Sequence, residues 1–380
     1  MRRSQRPLVF FLLSALLPFL VSFVLFLYAQ RLPIFTPPDV YLDRLKLEGA
    51  ARYSPSPLAW KSVLARDPLC AEADAVIIGS SRLREVNRQV VGASVCNLHV
   101  PGLNAVQFAV LADALAPMQP GRRSTVYVGL DHLFFWLRTD KVEWIDFKGF
   151  ETSRVLWMAW RAAEPLSYFS PAAIGEAIRR SSETDNFQRF QNEEIVWFPD
   201  GHVLYPHYYV LKSGGIYPRI DKASVEESVR AHFGEAKIRP RYLVALKAGV
   251  EALRQKGYIV YLFWEPLSPN YLAAAQRYYP RPFQGAIAAL ESMRGDLKID
   301  RYVPARDSLD ASRFGCTERD LQDAIHVDID CMDRFFAAVF RFTSPSARRL
   351  SEALMADLTS VPSQTGPQRT RAIPTANKAR

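Results

Sequence analysis

A serine in the first quarter of the chain and an aspartate–histidine pair near residue 325 have the residue types of a hydrolytic triad. Ser81 is the second serine of a Gly-Ser-Ser-Arg sequence, and Asp323 precedes His326 by three residues. A serine hydroxyl is a weak nucleophile: it needs a base within hydrogen-bond reach, and the base needs an orienting acceptor. The candidates are therefore Ser81 as nucleophile, His326 as base and Asp323 as orienter, and the adjacent Ser80 leaves open which of the two hydroxyls acts. Each motif alone is common, and either Ser80 or Ser81 could simply cap a helix.

The segments around these residues follow the order of a parallel α/β sheet. Residues 73–78 form an apolar run that ends at glycine, directly before the two serines. We predict this run as the first strand and further strands at residues 94–98, 125–130, 258–264 and 299–303. Helical patterns are predicted at residues 82–90, 106–115, 242–256, 271–279, 283–293, 331–342 and 350–358. The carboxyl edge of such a sheet is where ligands bind, and the serines follow its first strand.

Residues 141–240 interrupt this pattern with many aromatic side chains. We predict an insertion that caps the sheet, with a hairpin turn at residues 198–202, inside a single domain of residues 72–360. The aromatic rings could stack on sugars or pack against the sheet. The proline-rich residues 30–71 are predicted to form a stalk with one short helix near residues 57–65. The composition of residues 361–380 predicts a disordered tail.

The N-terminal residues predict a membrane anchor. Residues 7–29 carry no charge, and as a helix they would span roughly 34 Å, against a hydrocarbon core of about 30 Å. Three arginines lie within residues 1–6, so the positive-inside rule predicts a cytoplasmic N-terminus. The body of the protein would then be periplasmic or extracellular, attached to the cytoplasmic membrane by one helix. A cleaved signal peptide is the competing interpretation.

The net charge of +9 is concentrated at the two ends of the chain. Seven of the 48 basic residues lie within residues 1–6 and 361–380, which contain no acidic residue. Residues 7–360 therefore carry 41 basic and 39 acidic side chains. A body so close to neutrality argues against a general nucleic-acid surface, and we predict no nucleic-acid partner.

The four cysteines fit an exported domain. Their even number permits two disulfides, and the pairs Cys70–Cys96 and Cys316–Cys331 would each flank one motif region. Free buried thiols are equally compatible with the sequence. The spacing of cysteines and histidines, including His99 and His132 near the predicted site, matches no common metal motif. We therefore predict neither a metal nor a cofactor.

The order of these motifs resembles that of the SGNH (GDSL-like) hydrolase superfamily, in particular its membrane-anchored branch of DltD-like proteins and alginate-export acetyltransferases. Residues 79–82 resemble the nucleophile block, with Ser81 in the place of the catalytic serine. Residues 97–102 resemble the second block, in which Gly102 would offer a backbone N–H to the oxyanion. Residues 129–131 resemble the third block, and residues 323–326 match the last.

The resemblance covers residues 73–131 and 242–342, and it implies a three-layer α/β/α flavodoxin-like fold. It also implies a serine O-acyl esterase or acyltransferase that acts on a cell-envelope or secreted polysaccharide outside the cytoplasmic membrane. A membrane-bound O-acyltransferase is a candidate partner. The sequence does not distinguish hydrolysis from transfer, and it identifies neither the acyl group nor the glycan.

Asp131 departs from the family pattern, in which an asparagine usually donates to the oxyanion. An ionised carboxylate cannot donate a hydrogen bond. Either Asp131 is protonated, or Asn104 or Arg82 donates in its place, or the site is weakened. Arg82 could equally bind an anionic substrate or pair with Asp131. The alternative function is therefore a catalytically inactive SGNH-fold module that binds or assembles with a polysaccharide synthesis or acylation machinery.

Overall fold

The structure is a computed structural model that describes residues 38–51, 57–135, 195–234 and 236–342. The predicted anchor (7–29), the insertion up to residue 194, the predicted helix at residues 350–358 and the predicted tail (361–380) lie outside the described residues. In the part of the chain that the structure describes, no helix combines the length and apolarity needed to cross a membrane.

A five-stranded parallel sheet forms the centre of the molecule. The strands, numbered along the chain, are β1 (Ala75–Ile78), β2 (Val95–Asn97), β3 (Thr125–Leu130), β4 (Val196–Trp197), β5 (Val203–Leu204), β6 (Ile259–Trp264) and β7 (Arg301–Val303). The central sheet has the order β2-β1-β3-β6-β7, and every neighbouring pair in it is parallel. This order is compatible with a flavodoxin-like fold, in which the chain changes direction across the sheet between β1 and β3. The predicted α/β class is confirmed.

Twelve α-helices are described around the sheet. They are α1 (Pro38–Glu48), α2 (Pro57–Arg66), α3 (Pro68–Ala71), α4 (Arg88–Val91), α5 (Ala105–Ala114), α6 (Pro206–Ser213), α7 (Lys222–Phe233), α8 (Pro240–Gln255), α9 (Pro269–Tyr278), α10 (Pro280–Met293), α11 (Ala305–Ser308) and α12 (Ile329–Phe340). Short 3₁₀ turns lie at Ser81–Leu83, His132–Phe135, Arg294–Asp296, Ala311–Phe314 and Glu318–Asp320.

The two faces of the sheet are covered by separate hydrophobic cores. Successive side chains of a strand point to opposite faces, and so Val76 packs into one core while Ile77 packs into the other. The first core includes side chains of α5 and α8, and the second includes those of α4 and α12. The apolar residues of β1 are buried throughout because both faces of the strand are covered.

The segment predicted as a stalk is part of the fold where it is described. Tyr41 and Leu45 of α1 and Trp60 and Leu64 of α2 are buried in the first core. The prediction of a stalk at residues 30–71 is therefore corrected for residues 38–51 and 57–71. The short helix predicted near residues 57–65 is present as α2.

The helix predicted at residues 82–90 is replaced by the 3₁₀ turn at Ser81–Leu83 and the short helix α4. Asn87 begins α4, because its side chain accepts hydrogen bonds from the N–H groups of Gln89 and Val90. The buried amide of Asn97 donates to the carbonyl oxygens of Leu83 and Val86. Side chains that satisfy backbone groups in this way compete with helix formation.

Both predicted disulfides are present. Cys70–Cys96 joins α3 to β2, and Cys316–Cys331 closes a loop that contains residues 323–326. The predicted hairpin is also present: β4 and β5 are antiparallel around the turn at residues 198–202.

Candidate active site

Three predicted side chains meet at the carboxyl edge of the sheet. The Oγ of Ser81 lies 2.8 Å from Nε2 of His326, and Nδ1 of His326 lies 2.7 Å from Oδ2 of Asp323. An imidazole that donates Nδ1–H to a carboxylate keeps Nε2 as an acceptor. The Ser81 hydroxyl can therefore donate to His326, as nucleophilic catalysis requires.

The loop around residues 321–327 is shaped by its own hydrogen bonds. Oδ1 of Asp323 accepts from the backbone N–H groups of Ile325 and His326, at 2.8 Å each. The N–H of Gln322 donates to the carbonyl oxygen of His326 over 2.9 Å. This turn leaves Oδ2 of Asp323 for the imidazole, which explains why a three-residue spacing places a carboxylate against a histidine.

The two adjacent serines have different surroundings. The side chain of Ser80 is buried; its hydroxyl donates to Glu265, and its Oγ accepts from the N–H of Arg82. Ser81 is partly exposed and faces His326. Ser80 therefore caps the 3₁₀ turn, and Ser81 is the hydroxyl available to a substrate.

The protonation states suit a general base. Burial, followed by the positive charge of Arg84, lowers the pKa of His326 to about 4, even though Asp323 opposes the shift. Burial alone would raise the pKa of Asp323, but its hydrogen bonds to His326 and the charge of that residue lower it well below the usual range. At neutral pH the imidazole is therefore neutral and the carboxylate ionised.

Two backbone N–H groups, one after β1 and one after β2, are candidate donors to an oxyanion. Among the described residues, the N–H groups of Ser81 and Gly102 have no hydrogen-bond acceptor. Gly102 has φ +65°, a left-handed conformation that favours glycine. Oδ1 of Asn104 caps α5 by accepting from Val106 and Gln107, at 3.0 Å each. Within the described part of the chain, the side-chain N–H₂ group of Asn104 donates no hydrogen bond.

Asp131 and Arg82 form a buried ion pair. Arg82 Nη1 lies 2.5 Å from Asp131 Oδ2, and both side chains are at most 3 % exposed. Asp131 also pairs with His132, at 2.6 Å. Burial would raise the pKa of Asp131, but the charges of Arg82 and His132 lower it well below its ordinary value. Asp131 is therefore ionised and can only accept hydrogen bonds. The guanidinium of Arg82 faces this carboxylate, so the two side chains form an ion pair with each other.

Glu265 lies directly before Pro266 and contacts the nucleophile turn. Its carboxylate accepts hydrogen bonds from both the N–H and the O–H of Ser80. The signal that could have identified Glu265 is its place directly after strand β6. Parallel strands collect site residues at this end.

Arg84 and Gln322 were also missed by the sequence analysis. The guanidinium of Arg84 lies 3.7 Å from the ring centroid of Tyr205 and donates to Oε1 of Gln322. No sequence motif marks these residues, because the contacts join the nucleophile turn to the histidine loop across more than 230 positions.

The histidines near the site pack against protein groups. His99 stacks on Trp197 with ring centroids 5.7 Å apart, and His132 contacts Asp131 and Tyr271. Across residues 38–51, 57–135, 195–234 and 236–342, no group of three or more histidine, cysteine or acidic side chains could hold a metal ion.

Comparison of the sequence with protein-family models gives no match, and comparison with curated proteins gives none. The SGNH resemblance therefore stays a prediction based on the motifs and their order.

Proposed function

We propose that this chain is a membrane-anchored, extracytoplasmic, SGNH-like serine O-acyl esterase or acyltransferase. The observation that supports this most directly is the hydrogen-bonded series Ser81, His326 and Asp323, with 2.8 Å between the hydroxyl and the base. Such an arrangement activates a hydroxyl for attack on an ester carbonyl.

In the proposed reaction, Ser81 Oγ attacks the acyl carbon and its proton passes to Nε2 of His326. The N–H groups of Ser81 and Gly102 stabilise the negative charge on the carbonyl oxygen, and the side-chain amide of Asn104 is the candidate third donor in place of Asp131. His326 then returns the proton to the leaving alcohol. Water or a sugar hydroxyl completes the cycle by attacking the acyl-enzyme, which gives hydrolysis or transfer respectively.

We propose a cell-envelope or secreted polysaccharide as donor or acceptor of the acyl group. This part of the proposal rests on the predicted anchor at residues 7–29 and on the resemblance to the membrane-anchored SGNH branch. A membrane-bound O-acyltransferase is the proposed partner. The two disulfides support the extracytoplasmic location, because such bonds persist in oxidising compartments.

Separate Ser81→Ala and His326→Ala substitutions test the proposal. The assays are release of acetate from an acetylated glycan and hydrolysis of p-nitrophenyl acetate. We expect each variant to lose about 10³-fold or more in kcat/KM, since nucleophile and base act as a unit. The matched control is Ser62→Ala, because Ser62 is buried and its hydroxyl donates to Leu58 within its own helix.

The alternative is a non-catalytic module that binds or assembles with a polysaccharide synthesis or acylation machinery. Asp131 favours it, because an ionised carboxylate stands where the resembled family has a donor. Equal inactivity of the wild type, Ser81→Ala and His326→Ala towards both substrates would reject the enzyme and support this module.

A further inference from the structure

Glu265 joins the end of β6 to the nucleophile turn after β1. Oε1 accepts the backbone N–H of Ser80 at 2.6 Å, and the carboxylate also accepts the Ser80 hydroxyl. Glu265 and Ser80 are 1 % and 2 % exposed. Two hydrogen bonds from one residue to one carboxylate fix both the backbone and the side chain of the position directly before Ser81.

The backbone around the carboxylate is built to admit it. A Cβ on Gly79 would lie 2.5 Å from Glu265 Oε1, and a Cβ on Gly129 would lie 2.7 Å from the same atom. Both distances are shorter than real Cβ contacts, so a side chain at either glycine would displace Glu265. Because Gly79 and Gly129 have no side chains, the side chain of Glu265 can extend from the end of β6 past β3 and β1 to the turn that contains Ser80.

Arg82 holds Glu265 from the other side. Its Nη1 lies 3.7 Å from Glu265 Oε2 and 2.5 Å from Asp131 Oδ2. This arrangement explains why an aspartate stands at position 131, where the resembled family has an asparagine. Asp131 and Glu265 both face the guanidinium of Arg82. Three buried ionisable side chains, Arg82, Asp131 and Glu265, and the Ser80 cap thus connect the ends of β1, β3 and β6.

We propose that Glu265 is a positioning residue that holds Ser81 in line with His326 through its two hydrogen bonds to Ser80. This inference rests on the proposed serine chemistry. The hydroxyl of Ser81 must remain within hydrogen-bond distance of Nε2, and small displacements of a reacting atom lower rates steeply. Glu265 contributes by fixing the turn, and it need not touch the substrate.

The test measures how fast Ser81 reacts with diisopropyl fluorophosphate, a probe that requires no knowledge of the natural acyl group. Ser81 Oγ forms the bond to phosphorus, fluoride leaves, and the serine proton passes to His326. The variants of the full-length chain are Ser80→Ala, Glu265→Ala and the double variant, with Ser62→Ala as the matched control. Thermal unfolding confirms that each variant is folded.

We expect Ser80→Ala and Glu265→Ala each to slow phosphorylation of Ser81 by about 10- to 100-fold. With p-nitrophenyl acetate, kcat should fall while KM stays near the wild-type value. The double variant should lose less than the product of the two single losses, because both substitutions remove the hydrogen bond between the Ser80 hydroxyl and Glu265. Ser62→Ala should react at the wild-type rate. A variant that was merely less stable would not show a fall in kcat at unchanged KM. It would also not show losses in the double variant that are smaller than the product of the single losses.

A folded Ser80→Ala variant that is phosphorylated at the wild-type rate would overturn the inference, and this result holds even if Glu265→Ala does not fold. Fully multiplicative losses would also overturn it. If the wild type itself is not phosphorylated at Ser81, the proposed function fails, and that result is distinct from failure of the positioning role.

Discussion

The base of the candidate triad is tuned by a residue that does not belong to it. His326 has a pKa of about 4, lowered first by burial and then by the charge of Arg84. Arg84 is itself held by Gln322, the residue before Asp323, and by stacking on Tyr205. A base with this pKa stays neutral, and therefore competent, well below neutral pH.

Arg84→Gln should move the acid limb of the activity profile to higher pH. Activity requires neutral His326 and is lost as the pH falls through its pKa; removing a nearby positive charge raises that pKa. We expect the limb of kcat/KM, near pH 4 in the wild type, to shift upward by up to about one pH unit. The pH dependence of p-nitrophenyl acetate hydrolysis measures this shift.

Arg294→Gln is the control for this shift, because Arg294 also lies over a tyrosine ring, that of Tyr302 at 5.0 Å. Its acid limb should coincide with that of the wild type. An unchanged limb in folded Arg84→Gln would show that Arg84 does not set the pKa of the base.

At the scale of elements, the site is assembled from turns that each depend on a cross-link or a cap. Cys316 and Cys331 are 15 positions apart, and their disulfide closes a loop that contains the turn at residues 323–326. The turn itself has a two-residue bridge between Leu321 and Val327 and no regular helix or strand of its own. The disulfide and the start of α12 therefore limit how far His326 can move from Ser81.

Replacing both Cys316 and Cys331 with serine should weaken the fold and the reaction together. Loss of the cross-link is expected to cost about 3 kcal/mol of unfolding free energy for a loop of this length. We also expect a fall in kcat, because His326 gains freedom to leave the serine. Chemical denaturation and hydrolysis of p-nitrophenyl acetate give the two quantities.

The matched control replaces Cys70 and Cys96, whose sequence separation is 26. The Cys70→Ser, Cys96→Ser double variant should lose a similar amount of unfolding free energy. The kcat of its folded fraction should fall much less. Equal losses of kcat in the two double variants would contradict a specific role of Cys316–Cys331 in holding the histidine turn.

For the whole molecule, buried ionisable groups make stability depend on pH in opposing directions. Burial raises the pKa of Glu85 and of Glu265 to about 7. Between pH 4.5 and 7 the folded chain keeps protons that the unfolded chain has released, so these carboxyls lower stability as pH rises. His326 has the opposite effect: its pKa is about 4 in the fold, and stability falls as the pH drops below about 6.5.

Glu85→Gln should remove one of the two buried carboxyls whose ionisation lowers stability as the pH rises. Glu85 accepts hydrogen bonds from Tyr209 and Gln322, at 2.5 and 2.7 Å, and an amide can occupy the same site without charge. Relative to the wild type, we expect the variant to gain up to about 3 kcal/mol of stability between pH 5 and pH 8. Urea unfolding at both pH values measures the gain.

Glu227→Gln, at an exposed position of α7, is the control and should differ from the wild type by the same amount at both pH values. A Glu85→Gln variant whose stability difference is independent of pH would show that Glu85 titrates alike in the folded and unfolded chains.

The sequence by itself determined the α/β order and the approximate strand positions, because periodicity and turn residues are local signals. It only permitted the pairs Cys70–Cys96 and Cys316–Cys331, since free thiols fitted the sequence equally well. It also nominated Ser81, Asp323 and His326 from residue type and order. It overestimated the helix after β1 and predicted a stalk where α1 and α2 pack into the core, because those outcomes depend on distant partners.

Only the tertiary structure decided which serine faces the histidine, what Asp131 binds and what Glu265 holds. Ser80 and Ser81 are adjacent and chemically identical, and they differ because Glu265 contacts one and His326 the other. These partners are 185 and 245 positions away. The order of strands across the sheet brings them together, and no local pattern in the sequence records it.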